Sequence, residues 1–233
     1  MKVSSRAAVC AAVPEIDNMS TVVAIDGPAG AGKSTVARLL AERMGYAYVN
    51  TGSLYRALAW SAKRAGIDPG ALTAEFLAQQ QLEFKGADLY LNGNLTGAEL
   101  RAPDIAQGAS LVSKQKIVRD YLLPVQRNAA KDCWIVMEGR DIGTVVFPDA
   151  ECKFFVTATP EERARRRMAQ SGEVASNADF EAILAEIKER DERDSTRKIA
   201  PLKPADDSVV VDTTGLSIEE VVEKLAALCT AAR

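Results

Sequence analysis

From Gly27 to Thr35 the chain reads Gly-Pro-Ala-Gly-Ala-Gly-Lys-Ser-Thr, filling every fixed place of the pattern G-x-x-x-x-G-K-[ST]. The small residues Gly27, Ala29, Gly30, Ala31 and Gly32, with Pro28 among them, let the backbone wrap a polyphosphate and aim successive N–H groups at it. Lys33 adds a point charge, and Ser34 offers a hydroxyl to Mg²⁺. A plain glycine-rich turn is the bland alternative. The flanking sequence argues against it: Thr21–Ile25 reads as a buried strand, and Val36–Met44 as a helix whose N-terminal dipole favours an anion.

The other chemistry-bearing residues are mostly arginines. Arg163, Arg165, Arg166 and Arg167 crowd one helix, announced by Thr159 as cap, Pro160 in the first turn and Glu162 closing a capping box. Taken alone, such a run is a solvated face. Beside a phosphate loop it reads as a lid that closes over a triphosphate, with Arg166 and Arg167 serving the transferring group. On a further helix, from roughly 178 to 194, Ile183, Ile187, Arg190 and Asp194 share a stripe with Phe180 and Leu184. Arg190 and Asp194 are therefore either a structural ion pair or a cleft lining, and Arg197 lies one turn further on. Arg140 and Asp141 follow a strand through Gly139. Arg56 begins a helix six residues past the strand end at Asn50.

Composition narrows what these residues can do. The sequence contains no histidine, which removes His-based triads, general bases and His-ligated metals. A net charge of −3 and a pI near 5.3 argue against a general nucleic-acid or membrane-surface binder, so any positive patch is local. The four cysteines, Cys10, Cys133, Cys152 and Cys229, show no C-x-x-C spacing and fit reduced thiols in a cytoplasmic protein, with Cys133 and Cys152 in the core. No stretch approaches the roughly 20 apolar residues of a membrane span.

The elements that must position these residues alternate short apolar runs with helical periodicity. Strands are predicted at 21–25, 47–50, 134–138, 153–157 and 208–212, each apolar on both sides. This implies a three-layer α/β fold around a five-stranded parallel sheet, with ligands at the strands' carboxyl ends. Between about 66 and 112 the rhythm breaks into short antiparallel strands at 82–85, 89–91 and 92–95, with a hairpin at Asn92-Gly93. Residues 1–18 read as a disordered or non-native extension, and 19–233 as one domain with an insertion at about 66–112 and a lid at about 159–177. Trp134, Met137, Phe154 and Phe155 read as plain core.

With Gly27–Thr35, Asn50-Thr51-Gly52-Ser53-Leu54-Tyr55-Arg56, the run Glu138 to Ala150 and the run Ile187 to Asp194 together, the chain resembles the bacterial cytidylate kinases, from about Met19 to its end. The run Glu-Gly-Arg-Asp-Ile-Gly-Thr-Val-Val-Phe-Pro-Asp-Ala is the most specific part. The insertion resembles the substrate-side segment that sets these enzymes apart from other nucleoside monophosphate kinases. The resemblance implies that Arg56, Arg140, Arg190 and Arg197 hold and neutralise phosphates. It further implies that Ser110, Arg119 and Asp141 read cytosine, that Asp194 takes the ribose hydroxyls, and that Thr51 belongs to the substrate site. Asn50 stands where the family usually has Asp, and Thr51 where it has Ser or Thr.

The implied reaction is transfer of the γ-phosphoryl group of ATP, with Mg²⁺, to CMP or dCMP. Lys33, Arg140, Arg166, Arg167 and Arg190 supply charge compensation, and no side-chain nucleophile is needed. ATP and CMP or dCMP are the expected partners, with no nucleic acid or membrane, and the protein is expected to act as a cytoplasmic monomer. The alternatives are another small-molecule P-loop kinase, acting on UMP, shikimate or dephospho-coenzyme A, and a P-loop nucleotide switch. A GTPase switch needs an N-K-x-D run, which the sequence lacks.

Overall fold

Valine and isoleucine suit the pleat of a strand buried on both faces, and Val22 to Ile25 are all buried in β1 (Val22–Asp26). The computed structural model describes residues 22–131, 133–169 and 179–231. Thr21, the 1–18 extension, Cys10 and the 170–177 part of the expected lid lie outside the described residues.

The chain leaves β1 through the glycine loop into α1 (Lys33–Met44), which starts three residues earlier than its apolar pattern suggests. It returns as β2 (Ala47–Asn50) and enters α2 (Gly52–Arg64). Arg56 therefore sits in the second turn of α2 rather than at its start, because Gly52 and Ser53 already belong to the helix. Next come α3 (Ala74–Ala78), β3 (Leu82–Lys85), β4 (Asp88–Leu91) and β5 (Asn94–Leu95). Strands β3, β4 and β5 form the expected small antiparallel sheet. Asn92 and Gly93 are its turn, with φ of 51° and 78°, as a type I′ hairpin requires.

After α4 (Pro103–Val112) and α5 (Lys116–Asn128) the chain re-enters the main sheet as β6 (Ile135–Glu138). A single wide helical turn at Ile142–Val146 precedes β7 (Cys152–Thr157). Helices α6 (Pro160–Ala169) and α7 (Phe180–Thr196), strand β8 (Val209–Asp212) and helix α8 (Ile218–Ala231) complete the chain.

The main sheet is fully parallel, in the order β2-β6-β1-β7-β8. The side chains of β1 divide between its faces. Val23 and Ile25 pack with Val36, Leu40, Val222 and Leu225 of α1 and α8. Val22 and Ala24 pack on the other face with Val49, Met137, Ile142 and Val146. The edge strand departs from the expected pattern: Val209 and Val210 of β8, on opposite faces, are 41% and 55% exposed. A third apolar cluster joins the 66–112 segment to α2 and α5 through Leu54, Leu58, Phe76, Leu91, Val118 and Leu122. The segment is thus welded to the core. Phe154 and Met137 are buried as expected, as are Cys133 and Cys152, and Cys229 of α8 is buried too.

Strand β1 lies between β6, which leads back toward β2, and β7, which leads toward β8. A crevice opens at such a reversal, beyond the carboxyl ends of the strands. Register brings Ile25, Glu138 and Asn50 to one level at that edge.

Candidate active site

The glycine loop has room for no side chain where its backbone passes closest to the sheet. A Cβ at Gly27, where φ is 144°, would stand 1.9 Å from the Val156 carbonyl oxygen. Gly32, at φ 85°, turns the chain into α1 and leaves the first helical N–H groups facing the loop. Lys33 is buried at the start of α1, and its Nζ donates 2.6 Å to the Pro28 carbonyl, arching across the loop. Burial holds the Lys33 ammonium well below the ordinary lysine range, and Arg140 pushes the same way, while Glu138 opposes them.

Arg140 extends from the segment after β6 and donates from Nε to Asp194 Oδ2 at 3.2 Å. Arg190 projects from the stripe of α7 that also buries Ile183, Ile187 and Asp194. Its Nε is buried, and among the described residues it has no hydrogen-bond partner. Burial lowers Arg190 to about 10, helped by Arg140, Arg56 and Arg167 and opposed by Asp194. Lys33, Arg56, Arg140, Arg167 and Arg190 therefore converge from five different elements on one region. Such a concentration of positive charge, buried at Lys33 and half-buried at the four arginines, is unfavourable until an anion enters it.

The arginines of α6 divide in their roles. Arg163, buried, forks onto Asp191 of α7 at 2.9 and 2.5 Å and donates to Ala29 of the loop. It clamps α6, α7 and the glycine loop together and is not a lid residue. Arg165 is exposed and pairs with Glu162 at 3.1 Å, which is the solvated-face reading. Arg166 reaches Thr213 Oγ1 at 2.9 Å and the carbonyls of Thr213 and Ala31. Arg167 pairs with Glu186 at 3.2 Å. The capping expected at Thr159 is present, Glu162 N–H donating to its hydroxyl at 3.2 Å.

The opposite end of the crevice is built from paired charges. Asp141, buried, accepts from Arg119 of α5 and lies 3.8 Å from Arg197. Arg119 also donates to the Ser113 carbonyl at 3.3 Å and stacks over the Tyr55 ring. Ser110, half-buried on α4, joins this group through its carbonyl, which accepts from the Ser113 hydroxyl at 3.0 Å. Arg197 donates from Nε to the Ala200 carbonyl, and Ala200 holds a left-handed φ of 49°. Burial lowers Arg197, as does Arg119. Thr51 turns its hydroxyl to the Glu138 carbonyl at 2.8 Å, fastening the end of β2 to β6.

Three residues that sequence reasoning left without a role also belong here. The Asp26 carboxylate accepts from the N–H groups of Ile142 and Gly143, each at 2.8 Å, tying the phosphate-loop strand to the segment carrying Arg140 and Asp141. Burial raises Asp26 to about 6 against the pull of those two donors. Glu138, buried at the end of β6, accepts from the Tyr48 hydroxyl at 2.5 Å. That phenol, pushed up by burial and by Glu138, also interacts with the side chains of Ser34 and Asn50. An acidic residue at a strand's carboxyl end was a readable signal for Glu138. Tyr48 gave none, because a tyrosine alternating with valine reads as core.

No group of three or more His, Cys, Asp or Glu side chains forms a metal cage among the described residues. One carboxylate and one hydroxyl meeting at Tyr48 fit Mg²⁺, which keeps waters and takes its remaining oxygens from substrate phosphates.

A parallel α/β sheet with a phosphate loop on its central strand and converging cations beside it defines a P-loop kinase. The family model described as "Cytidylate kinase" matches residues 23–231, and the chain belongs to that family. It is 45% identical over 203 residues to a cytidylate kinase of Thermosipho melanesiensis, covering 87% of this chain and 94% of that one. With a cytidylate kinase of Pseudomonas aeruginosa it shares 46% over 219 residues, covering 89% and 94%. A solved structure of an uncharacterized protein from Eubacterium ventriosum has a similar fold, at a TM-score of 0.53 and 13% identity, covering 91% of this chain and 99% of that one.

Proposed function

We propose that the protein transfers the γ-phosphoryl group of MgATP to the phosphate of CMP or dCMP, yielding ADP and the nucleoside diphosphate. One observation carries the reading: five cations, including Arg190, whose buried Nε has no hydrogen-bond partner among the described residues, converge between the glycine loop and Asp141. Two phosphate groups brought there from opposite ends meet in the middle. The acceptor oxygen is already anionic, so the protein's task is alignment and charge compensation.

In this reading the loop from Gly27 to Thr35 wraps the ATP phosphates, with Lys33 leaving Pro28 for them. Ser34 and Glu138 would hold Mg²⁺, which would supply neutralisation of the negative charge on the ATP phosphates. Arg56, Arg140, Arg190 and Arg197 serve the acceptor phosphate, while Arg166 and Arg167 close from α6 over the donor. Asp194 receives the ribose hydroxyls and Thr51 shapes the floor. Asp141 accepts from the cytosine N4 amino group, and Arg119 donates to N3 or O2, with Ser110 beside them. Uracil presents a carbonyl oxygen where Asp141 needs a donor, which separates CMP from UMP. The same polar pocket disfavours the shikimate and dephospho-coenzyme A alternatives, and membership of a kinase family sets the nucleotide switch aside.

The reading extends to a single functional domain over 19–233 that works as a cytoplasmic monomer. Among the described residues no helix is long and apolar enough to cross a membrane. A coupled ADP-release assay across CMP, dCMP, UMP, AMP and GMP tests the assignment. Turnover concentrated on CMP and dCMP is expected, and equal turnover across bases would remove it.

A further inference from the structure

Tyr48 occupies a position that plain core packing does not account for. Its ring is packed with the cluster between the sheet and α1, which fixes where the hydroxyl emerges. On β2 it is paired in register with Val136 of β6, and Glu138 follows Val136 by two residues on the same face. The hydroxyl thus reaches the Glu138 carboxylate at 2.5 Å, beside the side chains of Ser34 and Asn50. The phenol binds Glu138 of β6, with Ser34 of α1 and Asn50 of β2 interacting beside it.

We propose that the Tyr48 hydroxyl is the positioning group of the metal site, holding Glu138 by one carboxylate oxygen so that the carboxyl faces the Ser34 hydroxyl. The proposal rests on the reading that Ser34 and Glu138 receive Mg²⁺. Glu138 has one more methylene than an aspartate and hence one more torsion to fix. A buried carboxylate free to rotate loses the fixed orientation that a small octahedral ion demands. A hydrogen bond from a rigid, packed ring removes that freedom, and removing such an outer partner typically weakens metal binding by 10–100-fold.

Tyr48→Phe keeps the ring and deletes the oxygen, and Glu138→Gln tests the carboxylate itself. Mn²⁺ binding to each full-length variant with ADP, followed by electron paramagnetic resonance, is compared with ADP binding without metal. For Tyr48→Phe, Mn²⁺ affinity should fall roughly tenfold or more while metal-free ADP and CMP affinities stay within about twofold. Turnover lost at low Mg²⁺ should return as Mg²⁺ is raised, a rescue that damage to the fold would not show. If Glu138→Gln weakens Mn²⁺ and Tyr48→Phe does not, the proposal fails and the metal site stands. If neither variant weakens Mn²⁺, the metal site itself is misplaced and the proposal falls with it. Equal loss of metal-free ADP binding in Tyr48→Phe would assign the hydroxyl to the loop, which also overturns the proposal.

Discussion

The two ends of the crevice solve opposite electrostatic problems. At the phosphate end Lys33, Arg140 and Arg190 raise one another's cost, and burial lowers both Lys33 and Arg190. At the base end Asp141 is already paired with Arg119 and flanked by Arg197, so its charge is compensated before any ligand arrives. An unbalanced cluster gains from almost any polyanion and therefore supplies affinity. A balanced one gains only from a ligand whose donors and acceptors replace its own hydrogen bonds, and therefore supplies selection. In the proposed function binding strength and base specificity therefore fall to different residues, with Arg197 standing between the two ends, and substitutions should separate them.

The largest break is expected at the phosphate end. Lys33→Ala should lower kcat by on the order of a thousandfold or more, about 4 kcal/mol of transition-state stabilisation, with the fold retained. Steady-state kinetics beside a circular dichroism melt checks this, and wild-type turnover by a folded variant would refute it.

Asp26 is the seam between the ends, and its effect is on stability. Its folded-state value of about 6 lies above the ordinary 3.8, so the native state holds this proton more tightly than the unfolded chain does. Asp26 should therefore favour folding least above pH ~6, with its unfavourable contribution disappearing as the pH falls toward about 4. Asp26→Asn removes the titration. The stability of the variant minus that of the wild type should increase from pH ~4 to pH ~7 by up to about 3 kcal/mol. Urea unfolding at both values tests this, and a difference that does not vary with pH contradicts it.

At the base end, Asp141→Asn offers an amide donor to uracil O4. The CMP over UMP ratio of kcat/KM should shrink roughly tenfold or more, at about 1.4 kcal/mol per decade. Parallel loss on both substrates would make Asp141 a positioning residue for Arg140. The smallest effect is expected at the lid. Alanine at Arg166 or Arg167 should depress kcat more than it weakens CMP binding, because those contacts reach the donor only on closure. Unchanged kinetics in both would leave these arginines to Thr213 and Glu186, their partners in the structure.

How much was legible follows from how local each constraint is. The glycine loop was readable because every requirement lies within a few residues: a backbone pressed against Val156, a left-handed turn into α1, a lysine at the first helical position. The stripe on α7 was readable because helical spacing alone aligns Ile183, Ile187, Arg190 and Asp194. The central strands were readable from apolar runs, but β8 looked the same in sequence while lying at the edge, where Val209 and Val210 meet solvent. Partner choice was not readable. Arg163 looked like its lid neighbours until Asp191 took both of its terminal nitrogens. Arg140 with Asp194, Arg119 with Asp141 and Tyr48 with Glu138 join distant parts of the chain, and no periodicity records such pairs. The roles of Ser110 and Arg119 came from family resemblance alone, while Asp141 was also marked by its place at the sheet's carboxyl edge.

The division between the two ends is tested most directly by calorimetric titration of the wild-type protein with CMP, UMP and cytidine. Deleting the phosphate removes several charge-assisted hydrogen bonds, so cytidine should bind roughly a hundredfold or more weaker than CMP. Changing the base disturbs only the Asp141 pocket, so UMP should bind weaker than CMP by a smaller factor, about tenfold. Cytidine binding within a few-fold of CMP would contradict the assignment of affinity to the phosphate end.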